Sequence, residues 1–293
     1  MDEPDRSRLA AAAADFAEAR SAPSPALLDA WRQLHYAAQV ASEVGKAWAV
    51  PEADDSHSSL GWDDADLVGV WVSGPRRFRA ALRASDLALS LVDERGATLA
   101  RRSLDAAKLD EAMAWVRDAA ERAAAEPARQ AALPAPDLPP HPVAGGAPFS
   151  VDPPAFAALA RLLGGANTVL CEVARGLRGG PVRVWPHHFD MATLAVLAER
   201  AGAATQTIGV GLATPDPTAA SGYWYVSPWA QREPAAALWP ALAHGRWIER
   251  GSSLRMAAFP LEEVAAIGDA QASRAAIARF LADAIGAGVA ALR

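Results

Sequence analysis

The feature that most constrains the fold is a proline-rich stretch in the middle of the chain. Nine of the 28 residues from Pro127 to Pro154 are proline. Proline fixes φ, lacks a backbone N–H and biases the preceding residue away from helix, so we expect an extended linker or a surface loop here. We predict an N-terminal half at 1–126, the linker at 127–154 and a C-terminal half at 155–293. The halves either pack as one compact unit or form two independent domains.

Residue periodicity predicts helices and antiparallel strands on both sides of this stretch. Spacings of three and four residues between Ala26 and Trp48 predict an amphipathic helix. Alternation from Arg76 to Arg83 predicts a half-buried strand, and Asp93–Gly96 predicts a hairpin turn. The other predicted helices lie at 7–20, Leu104–Ala125, Ala155–Leu177, Glu233–Ala243 and Leu261–Leu292. The other predicted strands lie at Ser58–Trp62, Leu67–Ser73, Leu87–Val92, Val182–Phe189, Thr205–Leu212, Tyr223–Val226 and Leu254–Phe259.

These elements predict an α+β protein with antiparallel sheets and covering helices. Helix, strands and helix follow one another in each half, with an offset of about 130 residues. A diverged internal duplication and chance recurrence both account for this order.

Charge and composition narrow the class of protein. The chain has 293 residues, is 52% hydrophobic and carries a formal charge of −6. A sizeable core is therefore expected, and broad neutralisation of nucleic-acid phosphates is not. Four arginines, Arg76, Arg77, Arg79 and Arg83, lie close together, and we interpret them as the solvated face of a strand.

The termini and the cysteine content bear on location. Met1–Asp5 is acidic where a secretion signal is basic, and the longest apolar candidate for a membrane span, Ala275–Leu292, is broken by charges and glycines. Cys171 is the only cysteine, which excludes an intrachain disulfide and a cysteine-rich zinc site. We predict a cytoplasmic protein with no membrane or nucleic-acid partner.

The most unusual segment runs from Trp185 to Asp190. On an extended chain His188 and Asp190 share a face, while His187 points the other way. His188 and Asp190 can then act as an acid–base pair. They can also supply two ligands of a divalent transition metal, with His57 or His187 as a third.

Three other interpretations of this segment are open. Asp190 can cap a helix that begins at Met191, because later apolar residues also fit helical spacing. His187 can be a half-buried surface residue. His188 can be a core histidine bonded to a backbone carbonyl.

Two further segments combine polar and aromatic residues. Asp54–Trp62 contains His57, which is either a second imidazole of the site or part of a loop whose Asp and Ser side chains bond their own backbone. In Tyr223–Trp229, a strand would place Tyr223 and Tyr225 on one face and Trp224 on the other. The predicted catalytic residues are His188, Asp190 and His57, and the predicted ligand-binding residues are Trp185, His187, Trp224 and Tyr225. Core packing on one face is the alternative for the aromatic strand.

Together these segments resemble a bacterial family of uncharacterised proteins, a domain of unknown function with a Trp-Pro-His-His-Phe-Asp motif. The matching positions are Trp31–His35, Gln39, the His57 segment, Trp185–Asp190 and Tyr223–Tyr225. The resemblance covers about residues 26 to 230 and implies no activity. It implies that the chain from Phe189 to Leu197 is a strand, against the helix-cap interpretation of Asp190.

Two classes of function remain. The first is a small-molecule site between the halves, hydrolytic or metal-assisted if it is enzymatic, because the sequence lacks a glycine-rich nucleotide or flavin signature. The second is a non-enzymatic interaction or assembly protein. Its evidence is the ten tryptophans, since exposed aromatic side chains are enriched in interfaces. The candidate anchors are Trp62, Trp71, Trp229, Trp239 and Trp247.

Overall fold

The computed structural model describes residues 3–14, 23–129, 135–232, 239–249, 251 and 253–293, and it has the predicted α+β class. Its contacts divide the chain into two compact units. Unit I consists of Ser24–Arg161 and Arg183–Phe189, and unit II consists of Met1–Pro23, Leu162–Val182 and Asp190–Arg293. The predicted boundaries at 126 and 155 differ from this division.

Unit I contains two long helices, the start of a third and a six-stranded antiparallel sheet. Its helices are α2 (Pro25–Trp48), α3 (Leu109–Ala124) and the first residues of α4 (Pro153–Leu177). Its strands are β1 (Leu60–Asp63), β2 (Asp66–Gly69), β3 (Phe78–Arg83), β4 (Ala88–Asp93), β5 (Thr98–Ser103) and β6 (Arg183–Trp185). The sheet order is β6-β1-β2-β3-β4-β5.

Helix α2 is the central element of unit I. The Ser24 side chain accepts a hydrogen bond from Leu27 N, and Pro25 occupies the first turn, where its missing N–H costs nothing. The helix packs against α3, β2 and β3. Most of its side chains are buried, including Trp31 and Trp48, so most of this helix forms core rather than surface.

The proline-rich stretch packs on α2, which explains why it belongs to unit I. Arg129 N donates to Ala47 O, Tyr36 Oη donates to Pro139 O at 2.7 Å, and Ser150 N donates to Gln33 Oε1 at 2.8 Å. Prolines lack donors of their own, but their carbonyls and the neighbouring N–H groups still find partners on the helix. Residues 130–134 of the predicted linker lie outside the described part.

Unit II contains the remaining helices and a five-stranded antiparallel sheet. Its strands are β7 (Asp190–Arg200), β8 (Ala203–Ala213), β9 (Tyr223–Ala230), β10 (Arg246–Glu249) and β11 (Arg255–Pro260), in the order β10-β11-β9-β8-β7. Its helices are α1 (Glu3–Ala14), the rest of α4, α5 (Leu261–Ala266) and α6 (Ala270–Ala291). Helix α6 packs against β8, β9 and β11, and α1 packs against α6.

Two predicted helices fall partly on residues outside the described part of the chain. For 7–20, the structure shows a helix that ends at Ala14, and residues 15–20 are outside. For Glu233–Ala243, residues 233–238 are outside, and 239–243 are not helical. The predicted internal duplication stays a prediction.

One described helix, α4, is long and apolar enough by composition to cross a membrane. Half of its most apolar window is buried inside the protein, and a buried core helix passes the same test. The longest apolar candidate in the sequence, Ala275–Leu292, forms most of α6 instead.

Candidate functional site

The segment around the adjacent histidines is a tight turn, so the predicted strand Val182–Phe189 is confirmed for Arg183–Trp185 and wrong for the residues that follow. Strand β6 ends at Trp185, and the backbone N–H groups of His188 and Phe189 both donate to Trp185 O. Phe189 has a φ of 58°, which reverses the chain before β7 begins at Asp190. Strand alternation therefore does not apply to His188 and Asp190, and their pairing stays a prediction.

Two side chains of α2 hold this turn from within unit I. His35 Nε2 lies 2.9 Å from Pro186 O, and Gln39 Nε2 donates to the same carbonyl at 2.5 Å. The His35 ring stacks on Phe189, with centroids 5.0 Å apart and planes 14° apart. His35 and Phe189 are each 2% exposed. A carbonyl has two lone pairs, so both donors can be accommodated.

The turn presents its two histidines next to one another. The rings of His187 and His188 have centroids 4.5 Å apart, and Trp185 meets His187 edge-on at 5.9 Å. His188 is exposed and His187 is half-buried. His187 O accepts a hydrogen bond from Asp137 N at 2.8 Å, which fixes the middle of the turn.

The structure therefore assigns the role of core histidine to His35 and not to His188. The interpretation of His188 as a core histidine is wrong because its side chain is exposed. The interpretation of His187 as a half-buried surface residue is confirmed.

Burial controls the charge of His35. Burial is the largest cause of a His35 pKa of about 4, below the usual 6.5, and the nearby His188 and His187 act in the same direction. The hydrogen bond to Pro186 O and the charge of Asp137 act in the opposite direction and raise the pKa. His35 is therefore neutral at pH 7.

A half-buried lysine of α2 contacts the clamp, which is His35 and Gln39 together with the Pro186 carbonyl that they hold. Lys46 Nζ donates to Gln39 Oε1 at 3.3 Å, which orients the Gln39 amide so that its nitrogen faces Pro186 O. Burial lowers the pKa of Lys46, and Glu43 partly opposes this shift. Lys46 thus acts on the Pro186 carbonyl through Gln39, and His35 binds the same carbonyl directly.

In unit II, Asp190 begins a strand, so the helix-cap interpretation is wrong. The strand implied by the family resemblance is present as β7, which pairs with β8 between Met191 and Arg200 with two shifts of register. Asp190 Oδ2 accepts a hydrogen bond from Tyr225 Oη at 2.6 Å. On the same face Tyr223 Oη donates to Asp216 Oδ2 at 2.8 Å.

The aromatic strand is arranged as alternation predicts. Tyr223 and Tyr225 share a face of β9, and Trp224 is fully buried on the other face. Trp224 therefore packs in the core, as the alternative for this strand predicted, and its role in ligand binding stays a prediction. A Cβ at Gly211 would lie 2.7 Å from the Tyr225 ring, so glycine is what lets the tyrosine lie flat across β8.

The His57 segment forms a buried 3-10 turn, and its loop interpretation is confirmed. Ser58 Oγ donates to Asp55 O and Ser59 Oγ donates to Ser56 O, as expected for side chains that bond their own backbone. His57 is 5% exposed, and its Nδ1 accepts a hydrogen bond from Glu52 N at 3.1 Å. A partnership of His57 with His188 stays a prediction.

The metal hypothesis requires a third protein ligand beside His188 and Asp190. Within the described ranges, no group of three or more His, Cys, Asp or Glu side chains is placed to hold a metal ion.

The four clustered arginines of unit I are largely paired with carboxylates. Arg79 bonds Asp63 at 2.7 Å, and Arg83 lies 3.6 Å from both Asp66 and Asp86. Arg76 lies 3.4 Å from Asp93. These carboxylates offset the positive charge that phosphate binding needs.

Sequence reasoning missed the clamp, although its signal was present. His35 and Gln39 are four residues apart in a helix, so they lie on one face. Both are buried polar residues, as are Gln33 and Ser42 of the same helix. Buried polar side chains need partners, and the partner, Pro186 O, lies about 150 residues away in sequence.

Comparison with known proteins adds no relative. No family model matches the chain, and neither curated protein sequences nor solved structures match it.

Proposed function

We propose that this protein binds a small molecule at the turn Trp185–Phe189, through His187 and His188, and that the ligand offers acceptor oxygens such as those of a carboxylate or a phosphate. The observation that carries the proposal is a strained turn that is held rigidly. Five hydrogen bonds among the described residues converge on it, while Phe189 keeps a left-handed conformation. The site proposed is confined to unit I.

The turn combines backbone strain at Phe189 with tertiary contacts that hold it in place. A bulky residue in the left-handed region costs about 1–2 kcal/mol and persists only where its surroundings determine it. Here the surroundings are the His35 ring stacked on Phe189 and the two donors on Pro186 O. Such strain is concentrated at sites where side chains must be aimed.

The aimed side chains suit an acceptor-bearing ligand. An imidazole supplies a ring N–H donor, and two imidazoles 4.5 Å apart can donate to one oxyanion group. Because the turn is held before the ligand arrives, little conformational entropy is lost on binding. Trp185 beside His187 offers an apolar wall for the rest of the molecule.

The proposal is tested by side-chain NMR of the full chain with inorganic phosphate and with acetate as separate probes. We expect ring resonances of His187 and His188 to shift with saturation by at least one probe, while those of His244 stay unchanged. A ligand at one hundred times its Kd stabilises the folded state by about 2.7 kcal/mol. The melting temperature should therefore rise with the same probe.

Matched variants complete this test. His188→Ala should lose both the resonance shifts and the thermal gain, and His244→Ala should keep them. His244 is suitable because it is a histidine of unit II stacked on Phe259. Equal shifts of all histidines, or none at millimolar probe, would reject the proposal.

A specific observation also favours the interaction class of function. Leu194, Val196 and Trp229 are 52%, 45% and 48% exposed. Val196 and Trp229 both oppose Thr207, so they lie in one row across β7, β8 and β9, and Leu194 shares the face. Trp71 is also exposed, whereas Trp62, Trp239 and Trp247 are half-buried.

The interaction alternative predicts self-association through that face. Trp229→Ser should then lower the sedimentation coefficient at high protein concentration. Trp71→Ser is the control, since Trp71 is also exposed but lies in unit I beside Arg77 and Arg79. A wild-type protein that sediments as a monomer at every concentration contradicts self-association.

A further inference from the structure

Helix α2 carries two buried nitrogen atoms that have no hydrogen-bond partner among the described residues, Trp31 Nε1 and His35 Nδ1. Trp31 is 1% exposed and His35 is 2% exposed, so bulk water does not reach either side chain freely. A buried polar group without a partner costs about 1–3 kcal/mol, and native proteins rarely leave one in that state. Two such groups on one helix therefore require an explanation.

The two atoms are complementary. The indole nitrogen of Trp31 carries a hydrogen and can only donate. His35 Nε2 lies 2.9 Å from Pro186 O, and a carbonyl oxygen can only accept, so the proton of the neutral ring is on Nε2. His35 Nδ1 is consequently an acceptor.

The helix brings these two groups together. Residues four apart on a helix are neighbours on one face, with Cβ atoms about 5–6 Å apart. Helical side chains also lean towards the N-terminus, which carries the His35 ring over the turn that begins at Trp31. One hydroxyl group, which both accepts and donates, would satisfy both atoms.

We propose that Trp31 and His35 form a buried binding position for one hydroxyl group, which accepts a hydrogen bond from Trp31 Nε1–H and donates one to His35 Nδ1. The hydroxyl belongs either to a water molecule or to a small ligand that replaces it. A carboxylate, the dianion of a phosphate monoester or a ketone cannot fill this position, because each lacks the hydrogen that Nδ1 must receive. The position is distinct from the exposed imidazoles, and it holds whether or not His187 and His188 bind an anion.

A hydroxyl group bound at this position would affect the turn through the His35 ring. The same imidazole that receives the hydroxyl hydrogen at Nδ1 donates from Nε2 to Pro186 O. Hydrogen bonds in a chain polarise one another, so filling the position strengthens the clamp. Water is a suitable occupant because it both donates and accepts.

The experiment uses the 15N-labelled full chain and needs no variant for its main readout. We expect the Trp31 indole hydrogen to show a rotating-frame cross-peak either to water or to hydrogens of a copurified molecule. We also expect His35 in the tautomer with hydrogen on Nε2, with a Nδ1 shift characteristic of a hydrogen-bonded acceptor. Mass spectrometry of the small molecules released when the protein is denatured then shows whether the hydroxyl belongs to a bound ligand or to water.

The controls use a second tryptophan of the same helix. Trp48 Nε1 donates to Glu126 O at 3.0 Å, so its indole hydrogen should show no such cross-peak. Trp31→Phe should remove the cross-peak and move the His35 Nδ1 resonance, and Trp48→Phe should leave both unchanged. A Trp31 hydrogen without either cross-peak, or a His35 proton found on Nδ1, overturns the proposal.

Discussion

Lowering the pH from 6.5 to 4 is expected to remove about 3 kcal/mol of unfolding free energy through His35 alone, at 1.36 kcal/mol for each unit of pKa shift. Burial holds the pKa of His35 at about 4 in the folded protein, against 6.5 for the free side chain. Between these two values the unfolded chain takes up a proton on this ring and the folded chain does not. The unfolded state is therefore favoured progressively as the pH falls, and the loss is complete near pH 4.

The variant His35→Gln isolates this contribution. Glutamine keeps a nitrogen donor for Pro186 O but does not titrate, so its stability curve should lack this part of the acid loss. It should also be less stable at pH 7, because the stack on Phe189 is gone. Urea unfolding at half-unit pH steps gives the free energy of unfolding of both proteins. The difference between their two curves removes the contributions of the carboxylates that both proteins share.

His244→Gln is the matched control for the loss of an imidazole elsewhere. Its curve should run parallel to wild type between pH 6.5 and 4. If wild type and His35→Gln have parallel curves over this range, the buried neutral imidazole is not the cause of acid sensitivity.

Gly45→Ala is expected to destabilise the protein by about 2–3 kcal/mol, although alanine normally stabilises a helix. A Cβ at Gly45 would lie 2.2 Å from His57 O and 3.2 Å from a methyl group of Val70. The first atom belongs to the backbone of the buried 3-10 turn, so it cannot move aside as the end of a flexible side chain would. Helix α2 and this turn must separate.

Gly286→Ala serves as the opposite case. Gly286 lies in α6, is exposed and has no atom within 4 Å of the position that a Cβ would take. Alanine there should stabilise by about 1 kcal/mol, the ordinary difference between the two residues in a helix. The midpoints of urea unfolding show whether each variant is more or less stable than wild type. A stabilised Gly45→Ala variant would show that α2 does not approach His57 so closely.

Local patterns predicted those elements whose burial follows from their own sequence. Alternation over Phe78–Arg83 identified β3, and the spacing from Ala26 to Trp48 identified α2. The predicted hairpin turn is present because Asp93 Oδ1 accepts from the N–H groups of Arg95 and Ala97, and Gly96 has a φ of 80°. Each of these signals lies within a few residues of the structure it determines.

Strands with a weak local sequence pattern form because neighbouring strands pair with them. Thr98–Ser103 contains two arginines and was not predicted, yet it pairs with β4 as an edge strand. Arg246–Glu249 was also missed and pairs with β11. Residues from Met191 onwards fit helical spacing, but pairing with β8 makes them a strand. Tertiary pairing outweighs local propensity in such segments.

The amino-acid sequence by itself determined the α+β class and the position of the long α2 helix. Only the tertiary structure decided what the residues from Trp185 to Asp190 form. A run that reads locally as a strand becomes a turn because His35 and Gln39, distant in sequence, donate to Pro186 O and because Phe189 packs under an imidazole. Hydrogen bonds between residues about 150 positions apart leave no periodic pattern in the chain, so no local rule can predict them.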